Sequence, residues 1–205
     1  MLFPWILFLS IVKLSLDLKY QTPSAWTDAV MNDFNSFLQD HADCERKASS
    51  MALSFVAKCP DKVKIIPALI ETALEELEHF QQVYKIMEKR GVQLQHEMKQ
   101  DVYIKKLMDC SRSSPEERLL DRFLMASIIE CRGTERFRLV AEGLDDTELK
   151  KFYKMLWTSE AKHGNIFVEM ALEYYPRDEV YKRLEELNDK EAEICASLPV
   201  RAALH

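Results

Sequence analysis

Apolar residues recur every three to four positions through most of the chain, a period that predicts long amphipathic helices. Thr22-Pro23 reads as a helix cap followed by proline at the first helical position, and no proline or glycine follows until Pro60. In that run Phe37, His41, Glu45, Ala48, Ala52 and Phe55 share one face, in one long helix or in two broken near Asp40–Asp43. A second helix is expected from Pro67 to Gly91, with Leu69, Thr72, Ala73, Glu76, Phe80, Val83 and Met87 inward. Its last turn carries Lys89 and Arg90, where the helix dipole favours cations. Val92–Gln100 reads as a polar connector and Asp101–Cys110 as a short helix. Ser114-Pro115-Glu116-Glu117 is a capping box opening a third long helix to Gly143, striped by Leu120, Phe123, Ser127, Glu130, Thr134 and Phe137. Asp145, with Glu148 three residues on, opens a fourth that Tyr175-Pro176 closes; its face carries Leu149, Tyr153, Leu156, Glu160, His163, Phe167, Met170 and Tyr174. A last helix, about Asp178–Ser197, turns Tyr181, Leu184, Leu187 and Ile194 inward. Four long antiparallel helices with short or medium connections describe an all-α four-helix bundle with additional short helices.

Composition narrows the picture. A length of 205 residues fits one domain, and 47% hydrophobic with 30% charged residues is a globular balance. Only four glycines argue against strand-rich folds and glycine-rich phosphate loops. The net charge of −6 excludes nucleic-acid binding through overall charge, though not through a local basic patch. Cys44, Cys59, Cys110, Cys131 and Cys195 are odd in number and form no Cys-x-x-Cys pair, which fits reduced thiols in the cytoplasm. Met1–Val12 is almost wholly apolar but too short for the ~20 residues of a membrane span. It also lacks the basic flank and clean cleavage site of a signal peptide. The expected division is an apolar N-terminal segment, 1–21, and a helical domain, 22–205, with no stable membrane association.

Four of the inner stripes contain a glutamate. A carboxylate on a core-facing stripe is expensive to bury unless it is paired or bound to metal, yet Glu45, Glu76, Glu130 and Glu160 lie on four successive long helices. Two of them begin Glu-x-x-His, at Glu76–His79 and Glu160–His163, and residues three apart are neighbours on a helix face. Glu45 precedes Glu76 by 31 residues and Glu130 precedes Glu160 by 30, as two stacked helical hairpins would produce. Glu45 is the only glutamate in the first 70 residues. These six residues match the ligand set of di-iron bundles, and carboxylates with imidazoles suit Fe(II) or Mn(II) better than zinc. His41, one turn before Glu45, is a candidate second-layer partner of the metal site, as are Arg132 and Glu135. Lys89, Arg90, Lys105 and Lys106 are candidate phosphate contacts around the central connector.

The residues flanking these positions resemble the tRNA 2-methylthio-N6-isopentenyladenosine hydroxylases of the ferritin-like superfamily. The resemblance rests on Thr22-Pro23-Ser24-Ala25-Trp26, Asp40–Ala48 around Cys44-Glu45-Arg46-Lys47, Leu74–Phe80, Ile129–Phe137 and Ser159–His163. It implies a ferritin-like bundle binding two iron ions through Glu45, Glu76, His79, Glu130, Glu160 and His163. By analogy Glu76 and Glu160 would bridge, while Glu45 and Glu130 would be terminal. It also implies O2-dependent hydroxylation of the isopentenyl group of a modified adenosine in tRNA. No flavin or nicotinamide motif is present, so a separate reductase would deliver the electrons. The competing expectation is a ferritin-like ferroxidase or iron-storage protein with the same six ligands.

Overall fold

In a computed structural model, residues 16–95 and 101–205 are described; the apolar stretch Met1–Val12 and the end of the polar connector lie outside them. Eight helices and no strands occur among the described residues: α1 (Ser24–Asn32), α2 (Phe34–Lys58), α3 (Ile66–Arg90), α4 (Val102–Met108), α5 (Pro115–Gly143), α6 (Thr147–Glu160), α7 (His163–Leu172) and α8 (Arg177–Ser197). The most extensive helix–helix packing joins α2 to α3 and α5 to both α6 and α7, giving two hairpins. Helix α8 packs on α5, α7 and α4. The expected four-helix bundle with additional helices is present.

Several local expectations are corrected. The first helical run breaks at Asp33, not near Asp40–Asp43. The Asp33 side chain accepts from the Ser36 amide at 3.2 Å and caps α2, whereas Asp40 accepts the Leu204 amide and Asp43 pairs with Arg46 and Lys47. Thr22 is not the cap of α1, because its hydroxyl and amide both bond to Glu135. Asp146, not Asp145, caps α6, accepting from the Glu148 and Leu149 amides. The fourth helix is two helices, parted by Ala161-Lys162 within the second Glu-x-x-His motif. Gly164 follows that break, where a β-carbon would lie 2.6 Å from Cys131 Sγ, so glycine lets α7 close on α5. In α8 the buried positions are Val180, Leu184, Leu187, Asn188, Glu191 and Cys195, while Tyr181 faces outward.

The apolar core forms two clusters. One gathers Phe34, Phe37, Val83, Met87, Phe137, Tyr153 and Leu156 toward one end of the bundle. The other gathers Phe55, Ile65, Leu69, Phe123, Phe167 and Leu184 toward the opposite end. On each of the four bundle strands of helix, the glutamate named from the sequence lies between residues of the two clusters. A polar layer thus divides the core, a costly arrangement unless its groups satisfy one another or a ligand.

Candidate functional site

The bundle brings all six sequence-predicted residues into that layer. Glu45, Glu76, His79, Glu160 and His163 are buried. Glu130 lies equally deep but is half-buried, because it faces a cavity. Two quartets emerge, each offering four donor atoms within 4.8 Å of one another: Glu45, Glu76, His79 and Glu160, and Glu76, Glu130, Glu160 and His163. Glu76 and Glu160 belong to both. The sharing follows from helix geometry, since each Glu-x-x-His motif points its acid and its imidazole the same way.

Nδ1 of both imidazoles points at the shared acids. His79 Nδ1 lies 2.6 Å from Glu160 Oε1 and 3.5 Å from Glu76 Oε2; His163 Nδ1 lies 2.6 Å from Glu160 Oε2 and 2.8 Å from Glu76 Oε1. Burial disfavours charge on both rings, but the Glu160 and Glu76 carboxylates outweigh it, lifting His79 to about 9 and His163 to about 12. Burial likewise opposes ionisation of Glu76, yet His163 and His79 hold it at about 2. Glu45 and Glu130 are pushed well above the usual carboxylate range, by burial first and then by repulsion from Glu76 and Glu160. The site therefore gathers more acid than its own imidazoles neutralise.

That imbalance has a geometric counterpart. Glu76 Oε1, Glu160 Oε1 and His79 Nδ1 are buried without an aligned hydrogen-bond partner. They meet only the opposing charged atoms of the same layer, at 2.6 and 2.8 Å and without the alignment of a hydrogen bond, and buried polar atoms so poorly satisfied are rare in native proteins. Four carboxylates and two imidazoles form a donor set suited to two hard or borderline divalent cations, so the residues fit a dinuclear metal centre.

A supporting layer surrounds the six. His163 Nε2 meets Glu75 Oε2 at 2.7 Å, and Glu75 pairs with Lys162. A carboxylate on the far nitrogen fixes the tautomer and leaves Nδ1 as the ligating atom. Ser159 Oγ stands 3.4 Å from His79 Nε2. The candidate His41 does touch the site, with Nε2 2.6 Å from Glu45 Oε1, and its Nδ1 meets the Tyr153 hydroxyl at 3.1 Å. Glu75 and Tyr153 were not singled out from the sequence, because each acts through a residue on another helix.

The other candidates fall elsewhere. Arg132 and Glu135 belong to a separate buried network and not to the metal layer. Arg132 forks onto Glu191 at 2.8 and 3.0 Å, pairs with Glu135 and donates to the Tyr20 carbonyl. Their place on α5 turns them toward α8 and the chain preceding α1, which is the physical reason they miss the site. Lys89 and Arg90 end α3, with Arg90 near Asn35 and over the Phe34 ring. Lys105 and Lys106 lie on α4, the first paired with Asp109 and the second bonded to Ser197.

A cavity of about 290 Å³ opens onto Glu45, Glu130 and Glu160. Its walls are mainly apolar, including Met51, Phe55, Met108, Met125, Ile129 and Phe137. Lys47 and Arg122 are its partly exposed cations, and Arg122 lies 5.0 Å above the Phe55 ring.

A helical bundle whose core is split by a carboxylate–imidazole layer has the architecture of the ferritin-like oxidoreductases. It superposes on a solved structure described as Protein 43 with aldehyde deformylating oxygenase activity from Synechococcus, with a TM-score of 0.87, 32% identity, and coverage of 92% of this chain and 94% of that one. Residues 10–205 match the family tRNA-(MS[2]IO[6]A)-hydroxylase (MiaE), and the chain belongs to that family. It is 34% identical over 176 residues to the tRNA 2-(methylsulfanyl)-N(6)-isopentenyladenosine(37) hydroxylase of Pseudomonas putida, covering 86% of this chain and 85% of the relative. A protein of the same description from Salmonella typhimurium is 25% identical over 225 residues, covering 86% and 82%. Among the described residues, no helix is long and apolar enough to cross a membrane.

Proposed function

We propose that this chain is a di-iron monooxygenase that hydroxylates the isopentenyl group of 2-methylthio-N6-isopentenyladenosine in tRNA. The observation that carries this reading is the pair of donor quartets sharing Glu76 and Glu160 beside an apolar cavity. Glu45 and His79 would complete one metal position and Glu130 and His163 the other. Two ferrous ions held there supply reducing equivalents for dioxygen, the co-substrate, and an unactivated C–H bond needs such a cofactor because it offers no acid–base handle.

The protein's own part is placement. Glu75 and Ser159 orient the imidazoles. The apolar walls fit a branched C5 hydrocarbon and keep water from the reacting carbon. Lys47 and Arg122, the partly exposed cations of the cavity lining, would be the charged groups met by a nucleotide that enters it. A splayed base in a single-stranded loop can reach such a pocket, whereas a duplex cannot. Electrons would come from a separate reductase, and the cytoplasm, where tRNA is found, is the compartment this reading requires.

The test incubates iron-loaded, reduced protein with isopentenylated tRNA and O2, then analyses the nucleosides by mass spectrometry. One added oxygen on the modified adenosine is expected. No oxygen gain, with rapid catalytic oxidation of free Fe(II), would move the assignment to a ferroxidase. The apolar cavity and the Synechococcus neighbour favour one second reading, oxidative cleavage of an aliphatic aldehyde. Appearance of the shortened hydrocarbon, with the tRNA unchanged, would select it.

A further inference from the structure

We infer that the two metal positions are inequivalent, and that the buried pair His41–Tyr153 makes them so by pinning Glu45 while Glu130 is left unheld; this rests on the two-metal reading above. Glu45 and Glu130 occupy matching places in the two hairpins, yet their surroundings differ. Glu45 Oε1 lies 2.6 Å from His41 Nε2, and the opposite ring nitrogen lies 3.1 Å from the Tyr153 hydroxyl. Both His41 and Tyr153 are 0% exposed. The Tyr153 ring is walled by Phe34, Phe37, Phe137 and Phe152, with centroids 5.1–6.1 Å away.

The chain can run in either direction, with Glu45 accepting when ionised and donating when protonated, and in both its Oε1 is held by His41. With Glu45 ionised, as ligation requires, the phenol hydroxyl donates to Nδ1, the imidazole proton sits on Nε2, and Nε2–H donates to Glu45. A carboxylate held by one oxygen to a histidine that is itself fixed by a packed tyrosine cannot swing between ligation modes without breaking a buried hydrogen bond. Glu130 has no such restraint. Both acids border the cavity, but among the described residues no hydrogen bond reaches the Glu130 carboxylate. Tyr153 and His41 are therefore positioning residues for the Glu45–His79 position, which holds its metal more tightly. The Glu130–His163 position is the one that exchanges.

Purified full-length protein, loaded anaerobically with Fe(II), is titrated with a competing chelator, and the melting temperature of the metal-free form is recorded alongside. Wild type should release two ions in two steps. Tyr153→Phe should weaken the tighter step by ~10-fold, the usual effect of losing a partner behind a ligand, and leave the weaker step within about two-fold. His41→Leu should do the same, and His41→Gln, which keeps a donor toward Glu45, should recover part of the loss. Glu130→Gln should weaken the other step alone. The inference is overturned if Tyr153→Phe and His41→Leu leave both steps unchanged. It is equally overturned if they weaken both steps in proportion to a fall in metal-free melting temperature, or if Glu130→Gln acts on the tighter step. Wild-type protein binding fewer than two ions would instead remove the two-metal reading on which it stands.

Discussion

Replacing Glu191 by alanine should cost the protein much of its stability while leaving its metal content intact. Glu191 and Arg132 are both 0% exposed and meet through two N–H···O bonds of 2.8 and 3.0 Å. The same carboxylate accepts from the Tyr103 hydroxyl at 3.2 Å and from Cys195 Sγ at 3.1 Å. Glu135, on the other side of Arg132, is already engaged by Thr22. Truncation would leave a buried guanidinium with half its acid partners and a buried phenol without an acceptor. Removing one partner of such a pair costs about 3–5 kcal/mol, out of a total near 5–15 kcal/mol. For a chain of this size that corresponds to a melting temperature lower by roughly 6–20 °C. Glu191→Gln keeps the volume and an acceptor oxygen and should lose less. Urea unfolding monitored by circular dichroism gives the free energy, and metal analysis of the folded protein gives the control. A loss below about 1 kcal/mol would refute the view that Arg132 depends on this carboxylate. A parallel loss of bound metal would return Arg132 to the support of the metal centre.

Four further outcomes are expected. Glu76→Ala and Glu160→Ala should abolish both metal positions, because both quartets use them, whereas Glu45→Ala should leave one; metal counted per chain decides. His79 and His163, at about 9 and 12, carry protons near neutral pH, and ligation needs their Nδ1 lone pairs. Loading should therefore release at least two protons at pH 7.5, with affinity rising as pH climbs toward about 9; calorimetry in buffers of different ionisation enthalpy measures this, and a release below one proton counts against the ligand set. Gly164→Ala places a methyl 2.6 Å from Cys131 Sγ, an overpacking worth about 1–3 kcal/mol that Cys131→Ala should relieve in the double variant. Arg122→Glu should weaken tRNA binding without changing iron content, and wild-type affinity should fall steeply with added salt; an unaltered affinity would detach Arg122 from the substrate path.

Residues that act through their own helix were legible in the sequence. The Glu-x-x-His motifs declare themselves because residues three apart share a face, and Glu45 and Glu130 stand out as acids on otherwise apolar stripes. His41 was visible for the same reason, one turn from Glu45. Glu75, Tyr153 and Glu191 were not, since each meets its partner across helices: Glu75 reaches His163, Tyr153 reaches His41 and Glu191 reaches Arg132. Helix boundaries failed where the choice of which acid caps a helix decided them, as with Asp146 over Asp145 and Asp33 over the more distant Asp40. The break at Ala161-Lys162 carries no proline, and the close approach of Gly164 to Cys131 just after it is a tertiary fact. Tyr181 was misjudged because the inward face of α8 carries Asn188 and Glu191, so a search for apolar spacing alone chose a face rotated by one residue.

The cavity wall sets a condition on durability. Met51, Met108 and Met125 line the space beside the carboxylate layer, and thioethers are among the side chains most readily converted by stray oxidant, becoming polar, chiral sulfoxides. Were the proposed oxygenase to fire with its cavity empty, it would spend its oxidant on its own lining. Each misfire would add a dipole to a surface that, on the proposed reading, must stay apolar to hold a hydrocarbon, so accidental damage would lower the chance of productive filling and favour the next accident. Sulfoxides accumulating at these three positions would record how often the catalyst ran without its substrate, and occupancy of the cavity would protect the enzyme as well as define its product.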